Sequence, residues 1–141
     1  MASEPYPIRP YPAWAQEEHQ HWIDAGHTFG AHLMEKVRDR ALKQIPAGAP
    51  DEVRQAAEQG IDNTLWNLMA LLDGTVGCPV GDTHSAEYVL SQRIVDANGL
   101  VIETIELAPD GDGLLIGYAG WRKGDFGQER WKSESDGHPI R

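Results

Sequence analysis

Four histidines lie close together in the first third of the chain. Their imidazole side chains are the groups in this sequence best suited to bind a metal ion. The four residues are His19, His21, His27 and His32. Glu18 and His21 are three residues apart, so on a helix their carboxylate and imidazole share one face. Helical bundles use this spacing to bind di-iron centres, with acids of further helices completing the site. One interpretation is therefore a metal-dependent enzyme that uses Glu18, His21, Glu58 and Asp62.

The sequence lacks several of the ligands that a di-iron site requires. Di-iron sites take ligands from four helices, whereas this chain predicts two, and the second helix has no histidine. His27 and His32 are five residues apart, too far around a helix to bind one ion together easily. We therefore predict no metal and no cofactor, with the histidines on a polar helix face or at the margin of the core.

Four short motifs resemble catalytic or metal-binding signatures but lack the context that such sites need. Residues 125–127 spell the Asp-Phe-Gly triplet of protein kinases, without the glycine-rich phosphate loop. Residues 110–113 lack the third acid and the closing glutamate of a calcium loop. Cys78 precedes a proline, so no helix N-terminus activates its thiol, and His84-Ser85 has no clear third partner. These motifs assemble no active site, which favours a protein that is not an enzyme.

Two stretches of the chain have apolar residues at helical spacing. The first follows Pro12, ends before Pro46, and contains Trp22, Gly26, Phe29, Leu33, Val37, Ala41 and Ile45. The second begins at Pro50, ends at Asp73-Gly74, and contains Val53, Ala57, Ile61, Leu65, Leu68 and Leu72. The connection between them is short, so we predict two antiparallel helices that pack as neighbours.

Beyond the glycine-rich and proline-containing loop at residues 74–82, the apolar pattern alternates with a period of two. Residues 88–96, 100–107 and 114–121 each predict a strand. Short turns at Asn98-Gly99 and at residues 109–113 separate them, and such links join antiparallel neighbours. The sequence therefore predicts an α+β fold with two layers, in which an antiparallel helical hairpin packs on a three-stranded antiparallel β-meander.

The chain of 141 residues has the length of one ordinary domain. We place that domain at residues 13–120, between a proline-rich arm at residues 1–12 and a basic, tryptophan-containing tail at residues 121–141. Prolines at alternate positions favour an extended arm, which we expect to lie on the body of the domain. The lone Cys78 cannot form an internal disulfide, which fits a reducing compartment. Neither a secretory signal nor an apolar stretch of membrane-spanning length is evident, so we expect a cytoplasmic protein.

A tight turn at Asn98-Gly99 determines which strand residues share a face of the sheet. The face that we expect the helices to cover carries Tyr88, Leu90, Gln92, Ile94, Val101, Glu103, Ile105 and Leu107. A carboxylate on such a face is costly to bury unless it is paired, so Glu103 either has a partner or lies at the sheet margin. The opposite face carries Val89, Val95, Leu100 and Ile102, and we expect either the tail with Trp121 and Trp131 or another protein to cover it.

The acidic charge of the chain is concentrated in one segment. Between Asp73 and Gly120 there are eight acidic residues and a single base, Arg93, in a chain of net charge −10. Charge of one sign repels nucleic acids and acidic membranes and attracts basic surfaces. We therefore predict a basic protein partner, steered by carboxylates and held by exposed aromatic residues. The predicted binding residues are Asp82, Glu87, Glu103, Glu106, Asp110, Asp112, Tyr118, Trp121 and Trp131.

The chain resembles the small single-domain bacterial immunity proteins in its small size, its acidity and the order of its elements. In that order, a helix ends at Leu71-Leu72-Asp73-Gly74 and a meander follows. The resemblance covers the general build of residues 13–120, and no family binding residues can be carried over. It implies a non-catalytic inhibitor that blocks a co-expressed toxin effector by mimicking its anionic substrate. A third interpretation, beside the inhibitor and the metal-dependent enzyme, is a homodimeric structural or adaptor protein whose uncovered sheet face is the subunit interface.

Overall fold

The N-terminal half of the chain forms one long helical stretch followed by a second helix. In the computed structural model, which describes residues 6–108 and 113–135, helix α1 spans Glu18–His32. A π-helical segment, Leu33–Arg38, continues it into α2, Asp39–Lys43. Helix α3 spans Asp51–Leu72 and packs against α2 and the π-helical segment. The two helical stretches predicted from the apolar spacing are therefore neighbours.

Helix α1 begins later than the position of Pro12 predicts. Tyr11–Ala13 form a 3₁₀ turn instead, and the α-helix starts after Glu17. The Glu17 carboxylate accepts hydrogen bonds from the backbone N–H groups of His19 and Gln20. An acidic side chain at this position satisfies helix donors that have no intrahelical partner and complements the positive end of the helix dipole. This cap, rather than Pro12, determines where the helix begins.

The sheet consists of two antiparallel strands, β1 at Ser91–Val95 and β2 at Val101–Glu106. A bulge lies between Ile94 and Val95. In the turn, the Gly99 N–H donates to the carbonyl of Asp96 and Gly99 has a φ of 84°, a conformation that glycine adopts without strain. The prediction of a hairpin around Asn98-Gly99 is confirmed.

The third predicted strand, at residues 114–121, is wrong, because this segment forms helix α4, Leu114–Arg122. Within residues 6–108 and 113–135 the sheet therefore has two strands, and the predicted three-stranded meander is not formed. The carboxylate of Asp73 explains the difference, since it accepts hydrogen bonds from the N–H groups of Gly113, Leu114 and Leu115. This side chain starts α4 from a distant part of the sequence. A further helix, α5 at Gln128–Ser135, follows, and the α+β class is confirmed.

The core lies where α4 packs against α1 and α3. Its buried residues include Trp14, Met34, Leu65, Met69, Leu107, Leu114, Tyr118, Trp121 and Phe126. A Cβ atom on Gly30 would lie 2.2 Å from Cε2 of Trp121, so the Trp121 ring packs directly on the backbone of α1. Tyr6 and Tyr11 of the proline-rich arm pack against the same core. In the described ranges, no helix combines the length and the apolar character that crossing a membrane requires.

Candidate functional site

One face of the β1–β2 hairpin packs on the helical layer, largely as the hairpin phase predicts. Leu90, Ile94 and Ile105 pack against the core and Leu107 is buried. The Gln92 side-chain amide donates to the carbonyl of Ala25 on α1, over 3.3 Å.

Two residues predicted for this face are exposed instead. Tyr88 precedes the paired region, and Val101 lies opposite Val95 next to the bulge. The bulge changes the direction of the side chains near the turn.

Glu103, the carboxylate that interrupts this face, has two partners. His21 Nε2 lies 2.7 Å from Glu103 Oε1, and the Tyr11 hydroxyl donates to the same oxygen over 2.8 Å. The other ring nitrogen of His21, Nδ1, lies 2.9 Å from the carbonyl oxygen of Ala15. A carbonyl only accepts, so Nδ1 carries a proton, and the short contact of Nε2 with a carboxylate requires a second one. His21 is therefore an imidazolium paired with the Glu103 carboxylate.

Electrostatics agree with this assignment of charges. The hydrogen bond to Glu103 raises the pKa of His21 above its ordinary value of 6.5, against the opposing effect of burial. Burial alone would raise the pKa of Glu103, but the hydrogen bonds from His21 and Tyr11 bring it below its ordinary value of 4.5. Both ring nitrogens of His21 are engaged, so neither can accept a proton from a substrate or bind a metal. The pair instead links the segment before α1 and α1 itself to β2.

The four residues of the metal interpretation do not form one group. His21 pairs with Glu103, whereas Asp62 on α3 accepts hydrogen bonds from Arg38 and Tyr118 and lies 3.2 Å from Arg122. Glu18 lines a cleft beside His21, and Glu58 lies on α3. Within residues 6–108 and 113–135, no cluster of three or more His, Cys, Asp or Glu side chains could hold a metal ion. The contacts of Asp62 hold α3 against the π-helical segment and α4.

The remaining histidines of α1 divide between surface and core margin. His19 and His32 are exposed. His27 accepts a hydrogen bond at Nδ1 from Trp121 Nε1 over 3.1 Å, and burial lowers its pKa. His27 therefore contributes to packing between α1 and α4 as a neutral side chain.

The outer hairpin face, which we define as Val89, Val95, Leu100, Val101 and Ile102, is not covered by any of the residues that the structure describes. These five apolar residues are between 49% and 65% exposed. Trp121, expected to cover this face, is instead a core residue that is 3% exposed, and Tyr118 is fully buried. The prediction that Tyr118 and Trp121 are exposed binding residues is therefore wrong, because both belong to the core. Trp131 is half-buried on α5, and the described part of the tail leaves the outer hairpin face open.

Carboxylates lie at the margins of this face, and one base, Arg93, is exposed on it, on β1 opposite Thr104. Glu87, two residues before Val89 in the chain, and Glu106, at the end of β2, are exposed, as is Asp82 in the preceding loop. Two bases of the tail pair elsewhere, Arg122 with Asp62 and Arg130 with Asp24. The ion pairs of the described side chains leave Asp82, Glu87 and Glu106 unpaired. The predicted binding residues Asp110 and Asp112 lie outside the described residues.

Two clefts flank the His21–Glu103 pair on the side of β2. The first, of about 640 Å³, lies between β2 and the first turns of α1 and is lined by Glu17, Glu18, His19, Trp22, Thr104 and Glu106 among others. The second, of about 540 Å³, is lined by Tyr11, Pro12, Gln16 and Ile102 in addition to the pair. The first cleft is strongly acidic and opens directly beside the hairpin.

Sequence reasoning missed the structural role of Asp24, which is fully buried on α1. Its carboxylate forms ion pairs with Arg9 of the arm, over 3.2 Å, and with Arg130 of α5, and it accepts a hydrogen bond from the Ala15 N–H. Asp24 lies on the side of the helix away from the apolar stripe of Trp22 and Gly26, so the apolar spacing gave no sign of its burial. Asp24 joins both ends of the described chain to α1.

Comparisons of the chain with protein-family models, with curated proteins and with solved structures found no match. The chemistry of its own surface is therefore the basis for inferring what the protein binds.

Proposed function

We propose that this protein is a non-catalytic acidic binding protein that docks on a basic protein partner through the outer hairpin face. The observation that carries the proposal is a group of five apolar residues on and next to the two-stranded sheet, each between 49% and 65% exposed, with the carboxylates of Glu87 and Glu106 at its margins. An exposed apolar patch with a charged rim is typical of a protein interaction site, and Val95, Leu100, Val101 and Ile102 form such a patch at the turn end of the hairpin. A two-stranded sheet is marginally stable by itself, so a partner on its open face would also stabilise the hairpin.

The charge around the outer hairpin face favours a basic partner. Glu87 and Glu106 would accelerate the encounter with a basic surface, and the apolar side chains would then hold the complex. The same charge disfavours nucleic acids and acidic membranes. The resemblance to immunity proteins in size, acidity and helix ending suggests that the partner is a toxin effector. The protein would neutralise this effector by docking on it. With its lone Cys78, the protein would act in the cytoplasm.

The environment of His21 and Glu103 supports a non-catalytic role. Each is satisfied by partners within the protein, and the imidazolium has no lone pair to offer a substrate proton. General acid–base catalysis requires a side chain that can reach and exchange a proton with the substrate. The pair positions the hairpin rather than reacting at it.

The test uses the product of the neighbouring reading frame, which we expect to be a larger basic protein. Isothermal titration calorimetry should show binding to the wild-type chain and an affinity at least about tenfold weaker for Ile102→Asp, which is ~1.4 kcal/mol. Ile116→Asp is the matched control, because Ile116 is 74% exposed on α4 and is not part of the outer hairpin face. Equal losses in both variants would contradict the proposal. Self-association that Ile102→Asp abolishes, without partner binding, would show a homodimer interface instead.

A further inference from the structure

Strand β2 has one edge paired with β1, and its other edge, which we call the open edge, pairs with no strand among the residues that the structure describes. The Leu107 N–H donates to the carbonyl of Leu90 over 3.0 Å, which makes these two residues a hydrogen-bonded pair. Hydrogen-bonded and non-hydrogen-bonded pairs alternate along an antiparallel ladder, so Arg93 and Thr104, three positions further on, are a non-hydrogen-bonded pair. The backbone N–H and C=O of Thr104 therefore point away from β1, toward the open edge.

The open edge ends at Trp22. The Glu106 carbonyl accepts a hydrogen bond from Trp22 Nε1 over 3.1 Å, which closes the edge there. For Thr104, the part of the chain that the structure describes supplies no backbone hydrogen-bond partner beyond the hairpin. Unpaired groups on an exposed edge are a template for another extended segment.

The cleft beside this edge has the charge and shape to receive basic side chains. Glu17 caps α1 and Glu103 is matched by His21, so their charges already have partners. Glu18 and Glu106 also line the cleft, and the ion pairs of the described side chains involve neither of them. Trp22 adds an aromatic ring, whose face attracts cations. A strand added at Thr104 would place its side chains within reach of these three groups.

We propose that the open edge of β2 receives an extended basic segment of the partner as an added strand. Its backbone pairs with Thr104, and its lysine or arginine side chains enter the cleft toward Glu18, Glu106 and Trp22. In strand addition, main-chain hydrogen bonds supply affinity and side-chain pockets supply specificity. The inference rests on the proposed function, because the docking partner supplies the segment. The added strand would extend the two-stranded sheet to three strands, which stabilises it.

The probe for this site is a synthetic peptide of alternating lysine and threonine, with a glutamate–threonine peptide as the charge control. The wild-type chain should bind the basic peptide and not the acidic one. Nuclear magnetic resonance should show the Thr104 amide shifting and gaining protection from hydrogen exchange. Equal binding of both peptides, or protection that leaves Thr104 unaffected, would overturn the proposal.

Proline substitutions separate the two edges of the sheet. Thr104→Pro removes an outward N–H from β2 and leaves the ladder to β1 in place, as proline on an edge strand does. Ser91→Pro is the matched control, since Ser91 lies opposite Glu106 in a non-hydrogen-bonded pair and donates toward the open edge of β1. Peptide affinity should fall at least about tenfold for Thr104→Pro and change little for Ser91→Pro. Equal weakening by both variants would contradict strand addition at β2.

A second variant keeps the test decisive if Thr104→Pro unfolds, which circular dichroism would reveal. Glu18→Gln combined with Glu106→Gln leaves the backbone intact and should weaken the basic peptide about tenfold. An unchanged affinity would overturn the proposal.

The cognate partner distinguishes failure of this inference from failure of the proposed function. If the partner binds Thr104→Pro as tightly as wild type and loses Ile102→Asp, the edge proposal is wrong and docking through the outer hairpin face stands. If the partner does not bind the wild-type chain, the docking function itself is wrong and the edge proposal falls with it.

Discussion

His21 Nε2 on α1 lies 2.7 Å from Glu103 Oε1 on β2, although the two residues are 82 positions apart in the chain. The Tyr11 hydroxyl donates to the same carboxylate oxygen. This cluster connects the arm, the first helix and the hairpin through one charged pair. Because the hairpin carries the open apolar face, the pair also determines how that face is presented relative to the helical layer.

Replacing His21 by glutamine should destabilise the protein in a pH-dependent way. The pKa of His21 is raised, so its contribution is complete below about pH 6.5 and is lost as the pH rises through the higher folded-state pKa. The pKa of Glu103 is lowered, so its contribution is lost only as the pH falls through a folded-state pKa below 4.5. The free energy of unfolding should therefore differ most between these two limits, by about 1 kcal/mol for a partly exposed pair.

Urea denaturation of wild type and His21→Gln across the pH range measures this difference. His32→Gln is the control for loss of a histidine, because His32 is exposed on the same helix. A wild-type advantage that stays constant into alkaline solution would show that the charged pair is not the source of the stability.

Replacing Asp24 by asparagine should weaken the attachment of both chain ends to α1. The variant leaves Arg9 and Arg130 facing a neutral side chain in a buried position, where breaking an ion pair costs about 3–5 kcal/mol. Asp82→Asn, in an exposed loop, should change the free energy of unfolding by less than about 0.5 kcal/mol. Denaturant titration measures both, and similar values for the two variants would be inconsistent with an anchoring role for Asp24.

A methyl group at Gly30 should be poorly tolerated, whereas one at Gly26 should stabilise the same helix. The Cβ of Gly30→Ala would lie 2.2 Å from Trp121 Cε2, while Gly26 has nothing within 4 Å of that position. Overpacking against a buried ring costs about 1–3 kcal/mol, and alanine is favoured over glycine in a helix by about 1 kcal/mol. Thermal unfolding should move in opposite directions, and a shared direction would mean that Trp121 does not pack on Gly30.

Helical spacing and hairpin phase could be predicted because each depends on residues close together in sequence. The apolar stripe to Leu72 predicts α3, and the alternation around Asn98-Gly99 predicts a hairpin whose inner face includes Ile94 and Ile105. The start of α4 could not be predicted in the same way, because it is capped by the distant Asp73. Leu114, Tyr118 and Trp121 are at helical spacing, but the surrounding segment is so apolar that a period of two fits it equally well.

In the candidate site, too, the features that depend on local sequence could be predicted, and those that depend on tertiary contacts could not. Glu103 and His21 were each recognisable as unusual residues, and pairing was one of two outcomes expected for Glu103. That His21 is the partner depends on how β2 lies across α1, which no local pattern contains. The strand phase predicted that Val89, Val95, Leu100 and Ile102 share one face, but not the exposure of Val101 beside the bulge. The burial of Trp121 follows from the helical fold of its segment.

The position of the docking surface is tested most directly by a hydrogen-exchange footprint of the wild-type chain with and without the basic partner. We predict slowed exchange within residues 88–106, with the exposed apolar part of α3 around Trp66 and Leu68 unchanged. Protection confined to α3, or any protection that leaves β1 and β2 exchanging as in the free protein, would contradict docking through the hairpin.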